Sequence, residues 1–161
     1  MNKYILSILV ENHSGVLSKM AGLFTRRGYN IDSLTVSVTD DPSTSRTTIV
    51  VSGDEQIIEQ IVKQLNKMVD VIKILELSPE KAVSRELALI KVTLEQSTRS
   101  FIIETVNIYN CNIIEMNVKS MIIEITGDEE RVSSFIELMR PYGIKEVVRT
   151  GLAVLQKCAE M

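Results

Sequence analysis

The chain has 161 residues, 45% of them hydrophobic, and a formal net charge of -3 at pH 7. This length accommodates one domain or two small ones, and the apolar content is sufficient for packed cores. The acidic balance and the lack of a basic stripe argue against a nucleic-acid-binding surface, which needs clustered Lys and Arg to neutralise phosphates.

The N-terminal segment predicts neither a membrane span nor a secretory signal. Its apolar run ends at Glu11 after about seven residues, which is far shorter than a bilayer span. The two cysteines, Cys111 and Cys158, form no CxxC motif, and no histidines cluster, so neither a disulfide framework nor a zinc site is predicted. We expect a cytoplasmic protein with no metal site and two buried thiols.

The first strand and the first helix follow each other closely. The β-branched run from Tyr4 to Val10 predicts a strand. From Val16 onwards, apolar residues recur at the spacing of one helical face, and Gly28 is a typical residue for ending that helix.

A hairpin, a second helix and a last strand complete the first half. Residues 33–39 alternate apolar and hydroxyl side chains, and a turn at 40–43 leads to an extended run from Thr47 to Ser52. Asp54-Glu55 begins a helix with acidic residues at the positive end of its dipole, and Val71 to Leu77 predicts a strand. The order β-α-β-β-α-β is typical of a ferredoxin-like unit.

The second half repeats this order after the proline-containing segment at 78–81. We therefore predict two domains, residues 1–78 and 79–161. The repeat is visible in the sequence, since Asn112-Ile113-Ile114-Glu115-Met116 resembles Asn30-Ile31-Asp32-Ser33-Leu34. The predicted fold class is α+β, with two ferredoxin-like βαββαβ units.

The junction Asn12-His13-Ser14-Gly15-Val16-Leu17 is the candidate binding site. The N–H groups of Gly15, Val16 and Leu17 lie at a helix N-terminus, where the dipole favours a carboxylate. The equivalent junction of the second unit, residues 96–100, has no glycine and contains an arginine. A small ligand is therefore predicted to bind the first unit.

Uncharged amides near this junction predict a zwitterionic ligand. Asn12 and Asn30 could accept from an ammonium group and donate to a carboxylate. Ile31 and Leu34 offer apolar contacts for a side chain, so a neutral amino acid is the simplest ligand.

A purely structural interpretation stays open for the same residues. Asn12 or Ser14 could cap the helix, and Gly15 could relieve a tight turn. His13 beside Ser14 is not expected to form a catalytic pair, because adjacent residues rarely do so and no third orienting group is identifiable.

Two segments, ENHSGVLS at 11–18 and GLFTRRGYNIDSLTV at 22–36, closely resemble the start of the small, regulatory subunit of acetolactate synthase (acetohydroxyacid synthase). Further matches lie at 39–42 with Ser45-Arg46, 69–71, 84–87 and 149–151, so the resemblance spans nearly the whole chain.

This resemblance implies an N-terminal ACT domain, a C-terminal ferredoxin-like domain and a homodimer formed through the ACT domain. Such a subunit is not itself an enzyme. It activates a separate catalytic subunit and confers feedback inhibition by valine or other branched-chain amino acids. Thiamine diphosphate, Mg and FAD are expected on the catalytic subunit and no cofactor on this chain. No nucleic acid or membrane partner is implied.

The resemblance also implies an effector site at the ACT dimer interface, with Asn12 and Gly15 from one protomer and Asn30 and Ile31 from the other. His13 and Ser14 depart from the NxPG or NESG forms that are commoner in the family, so the resemblance implies them only as loop neighbours of the effector site. The predicted effector-binding residues are Asn12, His13, Ser14, Gly15, Val16, Leu17, Asn30 and Ile31.

Other functional classes compete with this one. An ACT-domain sensor that regulates a different enzyme or a transcription factor would share the loop. An RNA-binding ferredoxin-like module needs aromatic side chains on its central strands, and Ser37, Val38 and residues 49–51 offer none. An acylphosphatase-like enzyme is less supported still.

Overall fold

The computed structural model describes residues 2–158, which form two α+β units of the same topology. The predicted fold class and the two βαββαβ units are confirmed. The strands and helices are β1 (Asn2–Glu11), α1 (Val16–Arg27), β2 (Ser33–Val38), β3 (Thr44–Gly53), α2 (Glu55–Leu65), β4 (Val71–Leu77), β5 (Ala82–Thr93), α3 (Arg99–Ile108), β6 (Asn112–Met116), β7 (Ser120–Gly127), α4 (Glu129–Met139), β8 (Ile144–Arg149) and β9 (Ala153–Gln156).

The first unit has an antiparallel sheet in the order β2-β3-β1-β4, with α1 and α2 on one face. Alternate residues of β1, namely Leu6, Ile8 and Val10, are buried in one apolar cluster with residues of both helices. Because side chains of a strand alternate between the two faces of a sheet, this period-two pattern sets the helix-covered face. The central strand therefore holds the loop that follows it firmly against the core.

Both helices of the first unit begin or end where local signals predict. Gly28 ends α1 with a φ of 69°, a left-handed conformation that glycine adopts without steric penalty. Asp54 caps α2, its carboxylate accepting a hydrogen bond of 2.8 Å from the N–H of Ile57. Replacing such a cap destabilises a protein by about 1 kcal/mol.

The second unit has an antiparallel sheet in the order β6-β7-β5-β8, with α3 and α4 packed on one face. Its core includes Ile90, Ile123 and Phe135, none of which is exposed. Asp128 caps α4 at 2.8 Å from the N–H of Arg131, as Asp54 caps α2. The sequence Gly53-Asp54-Glu55 recurs as Gly127-Asp128-Glu129, and both copies begin a helix.

The chain passes through the first unit twice. By contacts between residues, that unit comprises the described residues up to Val83 together with those from Leu152 onwards, and the second unit comprises Ser84–Gly151. The predicted boundary at 78/79 assigned the C-terminal segment to the second domain. It packs in the first unit because Leu152 and Val154 are buried in a cluster with Val50.

Two segments that carried the family resemblance meet inside the second unit. Arg149 forms a salt bridge with the buried carboxylate of Glu86. The N–H of Leu87 donates to the hydroxyl of Thr150 at 3.1 Å, and the N–H of Thr150 donates to the carbonyl of Leu87 at 3.0 Å. These residues therefore hold the start of β5 against the end of β8.

The cysteine prediction was wrong, since Cys111 is half-buried and Cys158 is exposed. Cys158 lies beyond β9, where no described element covers it. Among residues 2–158, no helix is long and apolar enough to span a membrane.

Candidate functional site

The loop between β1 and α1 presents an uncapped helix N-terminus. Gly15 precedes the helix with a φ of 90°, and no side chain of the described residues caps the first turn. The first intrahelical hydrogen bond runs from the N–H of Lys19 to the carbonyl of Gly15 at 2.9 Å. The preceding first-turn amides thus have no intrahelical partner and lie at the positive end of the dipole.

Asn12 fixes the loop to the β2–β3 turn. Its backbone N–H donates to the carbonyl of Ser43 at 2.7 Å, and its side-chain amide donates to the carbonyl of Pro42 at 2.9 Å. Its amide oxygen accepts from the hydroxyl of Ser45 at 2.9 Å. A primary amide has two N–H groups and two lone pairs, so Asn12 retains one of each for a ligand.

Val16 and Leu17 differ in what they offer. The side chain of Val16 is 4% exposed and packs in the core of the first unit, so only its N–H faces the loop. Leu17, at 44% exposure, leaves an apolar surface beside the helix start. Apart from the apolar stem of Leu17, the site is therefore mainly a set of backbone donors.

Asn30 and Ile31 lie beyond the other end of α1. Asn30 donates to the carboxylate of Asp32 at 2.9 Å, and Ile31 is partly buried against the core. The helix has 12 residues and rises by about 1.5 Å per residue, so its two ends are about 18 Å apart. Within one chain, the structure does not bring these residues to the Gly15 loop.

The helix-side face of β2 carries an exposed apolar row. The side chains of Leu34, Val36 and Val38 are 37%, 42% and 53% exposed. They pair in register with Ile49, Thr47 and Ser45 of β3. β2 is also an edge strand, so its outer backbone groups face away from the sheet of the first unit.

A cluster of charged side chains lies directly beside the loop. Nε2 of His13 is 2.9 Å from Oδ1 of Asp70 and 3.5 Å from Oε2 of Glu11, and its Nδ1 is 3.1 Å from the carbonyl oxygen of Ser14. Lys19 donates to the other carboxylate oxygen of Asp70 at 2.8 Å. The loop sequence has no Asp, Glu, Lys or Arg between Asn12 and Leu17, yet Glu11, Lys19 and Asp70 lie beside it.

These contacts shift the ionisation of the two central groups. The Ser14 carbonyl, followed by the Asp70 carboxylate, raises the pKa of His13 above its ordinary value, against the opposing effects of desolvation and the Lys19 charge. The hydrogen bond from Lys19 is the main cause that lowers the pKa of Asp70.

Sequence reasoning missed the role of Asp70 completely. The residue lies 57 positions from His13 and reaches it only because β4 pairs with β1, where the N–H of Glu11 also donates to the Asp70 carbonyl at 2.9 Å.

Family models match both halves of the chain. The model described as "AHAS small subunit-like ACT domain" matches residues 6–73. The model described as "Small subunit of acetolactate synthase" matches residues 85–158.

Whole-chain relatives agree with these matches. The "Probable acetolactate synthase small subunit" of Archaeoglobus fulgidus is 52% identical over 149 residues, covering 92% of this chain and 93% of the relative. The "Acetolactate synthase small subunit" of Mycobacterium bovis is 45% identical over 154 residues, covering 96% and 92%. The crystal structure of the acetolactate synthase small subunit from Thermotoga maritima superposes with a TM-score of 0.90 at 40% identity, covering 99% of this chain and 100% of that one.

Proposed function

The chain belongs to the family of acetolactate synthase small subunits, and from that membership we propose that it activates a separate catalytic subunit and confers feedback inhibition by valine or another branched-chain amino acid. In this proposal the chain is a non-catalytic, cytoplasmic regulatory subunit. The catalytic subunit holds thiamine diphosphate, Mg and FAD, and this chain holds none of them.

The uncapped start of α1 is the observation that carries the effector site. The amides of Val16 and Leu17 are donors for an α-carboxylate, and Gly15 leaves the approach to them open. The remaining N–H and lone pair of Asn12 supply contacts for an ammonium or a carboxylate group. His13 and Ser14 contribute as neighbours, through the charged cluster and a backbone carbonyl.

The position of Asn30 and Ile31 supports a site shared between two protomers. Since they lie at the far end of α1, they can reach a ligand at the Gly15 loop only from a second chain. The exposed row of Leu34, Val36 and Val38 on the edge strand β2 offers the apolar surface for that homodimer.

Feedback follows if the effector binds one dimer arrangement more tightly than another. A ligand shifts such an equilibrium only by its differential affinity, typically about 1–3 kcal/mol. The apolar part of the pocket sets selectivity. Each buried methylene contributes about 0.8 kcal/mol, so valine should bind on the order of tenfold more tightly than alanine.

Reconstitution tests the regulatory role. The purified chain is added to an acetolactate synthase catalytic subunit, and acetolactate formation is followed with and without valine, leucine or isoleucine. We expect a higher specific activity on addition and a saturable loss with at least one branched-chain amino acid. Unchanged activity and no co-purification with the catalytic subunit would instead favour a sensor that regulates a different enzyme or a transcription factor.

Two substitutions at Gly15 test the effector site. A Cβ at this position meets nothing within 4 Å, so Gly15→Asp and Gly15→Asn carry only the backbone penalty of a positive φ, about 1–2 kcal/mol. Their side chains have nearly the same shape, but only Asp places a negative charge against the ligand carboxylate. We expect Gly15→Asp to abolish valine binding, measured by calorimetry, while both variants still activate the catalytic subunit.

The Asn variant is the matched control for the Asp variant. If both lose valine binding equally, shape rather than charge governs the site. If Gly15→Asp retains valine inhibition, the effector does not bind at this helix N-terminus. Sedimentation of both variants with and without valine reports whether the homodimer is intact.

A further inference from the structure

One imidazole nitrogen of the first unit faces two carboxylates. Nδ1 of His13 contacts the carbonyl of Ser14, so this ring nitrogen carries a proton. Nε2 then points at Oδ1 of Asp70 and Oε2 of Glu11, 2.9 and 3.5 Å away. If Nε2 carried no proton, its lone pair would face two negatively charged oxygens and be repelled by them. The arrangement therefore requires a second ring proton or a cation between the three atoms.

We propose that Glu11, His13 and Asp70 form a binding site for a divalent transition-metal ion such as Zn²⁺. The three residues offer ligand atoms that all lie within 4.8 Å of one another. Around a zinc ion with bonds of about 2.1 Å, tetrahedral ligand atoms are roughly 3.4 Å apart. The two Nε2 distances lie on either side of that value, and the half-exposed side chains of His13 and Glu11 can rotate to complete the geometry around the buried Asp70 carboxylate.

The surroundings of the three ligands match those of metal sites. A histidine ligand typically donates its other ring N–H to a carbonyl or carboxylate, which fixes the tautomer that leaves the ligating nitrogen free. The Ser14 carbonyl has this position. The hydrogen bond from the Glu11 N–H to the Asp70 carbonyl holds two of the ligand-bearing segments together.

Lys19 leaves the site available. It binds Oδ2 of Asp70 and thereby orients Oδ1 towards His13. The side chains of His13 and Glu11 are about half exposed, so an ion enters from solvent and completes its coordination with water.

The ligand set indicates the class of ion. One imidazole and two carboxylates suit zinc and its neighbours in the first transition row, whereas Ca²⁺ and Mg²⁺ prefer oxygen ligands alone.

His13 is the only histidine of the chain, so its ring protons report the site without ambiguity. The experiment records the proton NMR spectrum of the untagged, full-length protein at pH 7.5 during titration with Zn²⁺. A Cys158→Ser background removes the exposed thiol as a competing ligand. We expect both ring resonances to shift and to saturate at one equivalent of zinc.

Two carboxamide variants complete the test. Glu11→Gln should weaken zinc binding by at least about tenfold, since even the partners of metal ligands contribute that much. Glu59→Gln, on the exposed face of α2, is the matched control and should bind zinc as the parent protein does. Glu11 is exposed, so its substitution tests the site even if Asp70→Asn, at a buried position, fails to fold.

Two results would overturn the proposal. The ring resonances could stay in place at saturating zinc, which would mean that a second ring proton of His13, and no metal ion, lies between the ring and the two carboxylates. Glu11→Gln could bind zinc as tightly as Glu59→Gln, which would assign the metal to other groups. Neither result affects the proposed regulatory function, because no effector or catalytic subunit takes part in the titration.

Discussion

Removing Arg149 should destabilise the second unit far more than removing a comparable surface arginine. The carboxylate of Glu86 lies on the interior strand β5 with its side chain only 3% exposed, and the Arg149 guanidinium is its ion-pair partner. Arg149→Met keeps the apolar stem and deletes the charge. The substitution therefore leaves a buried carboxylate without a counter-charge.

The expected loss of stability follows from this unpaired buried charge. Removing one partner of a buried ion pair typically lowers the free energy of unfolding by about 3–5 kcal/mol. Because the Arg149 side chain is itself 35% exposed, water can partly replace it, and we expect a loss of about 3 kcal/mol. For a chain of this size that corresponds to a fall in the melting temperature of roughly 6–12 °C.

Chemical denaturation followed by circular dichroism measures the effect. Glu86→Met with Arg149→Met removes both charges and should lie within about 1 kcal/mol of the parent protein. Arg140→Met, in an exposed pair with Glu137, is the control and should cost at most about 0.5 kcal/mol. The reasoning is refuted if Arg149→Met is no more harmful than Arg140→Met, or if the double variant is as unstable as the single one.

Three further outcomes follow from contacts described above. Asp54→Ala should lower the free energy of unfolding by about 1 kcal/mol in urea denaturation, because the first-turn amide of α2 loses its cap; no change would contradict the capping role. Burial raises the pKa of Cys111 to about 11, so only about 0.1% of this thiol is ionised at pH 8. Iodoacetamide should therefore modify the exposed Cys158 first. Mass spectrometry of digests taken at successive times measures the order, and earlier modification of Cys111 would contradict it. In metal-free buffer, the ring of His13 should titrate above its ordinary pKa, and Asp70→Asn should lower that pKa in NMR titrations. Because the pKa of His13 is higher in the folded state, its charged form stabilises the fold at pH 5.5, and this contribution is lost as the pH rises through that pKa. His13→Gln should therefore be less stable than the parent protein at pH 5.5, and the difference should shrink towards pH 8.5.

Local signals were sufficient for the elements. The helix start at Asp54 and the helix end at Gly28 depend on residues within one turn of each position, and the structure has both of them as predicted. The β-α-β-β-α-β order then followed from the alternation of strand and helix patterns, because each unit must bury one apolar face of its sheet.

The role of Asn12 depended on more than local sequence. Its position at a helix start predicted a cap or a ligand contact, whereas its side chain mainly binds Pro42 and Ser45 across the sheet. That contact exists only because β1 and β3 pair with Glu11 opposite Thr44. Strand register of this kind is set by the packing of the whole unit, which a single sequence does not reveal.

The packing of the C-terminal segment depends on long-range contacts in the same way. Leu152 and Val154 alternate with exposed residues, as in any short strand, and nothing local shows which unit they cover. Their packing against Val50 is a contact between residues about a hundred positions apart.

The packing of Leu152 and Val154 in the first unit affects how the protein folds during synthesis. A nascent chain emerges from the ribosome in sequence order, so the first unit stays incomplete until Leu152 and Val154 have emerged. During that interval Val50 and Leu77 lack part of their apolar cover, although residues Ser84–Gly151 of the second unit have already been synthesised. The unit that starts first along the chain is thus completed only after the second unit has been synthesised.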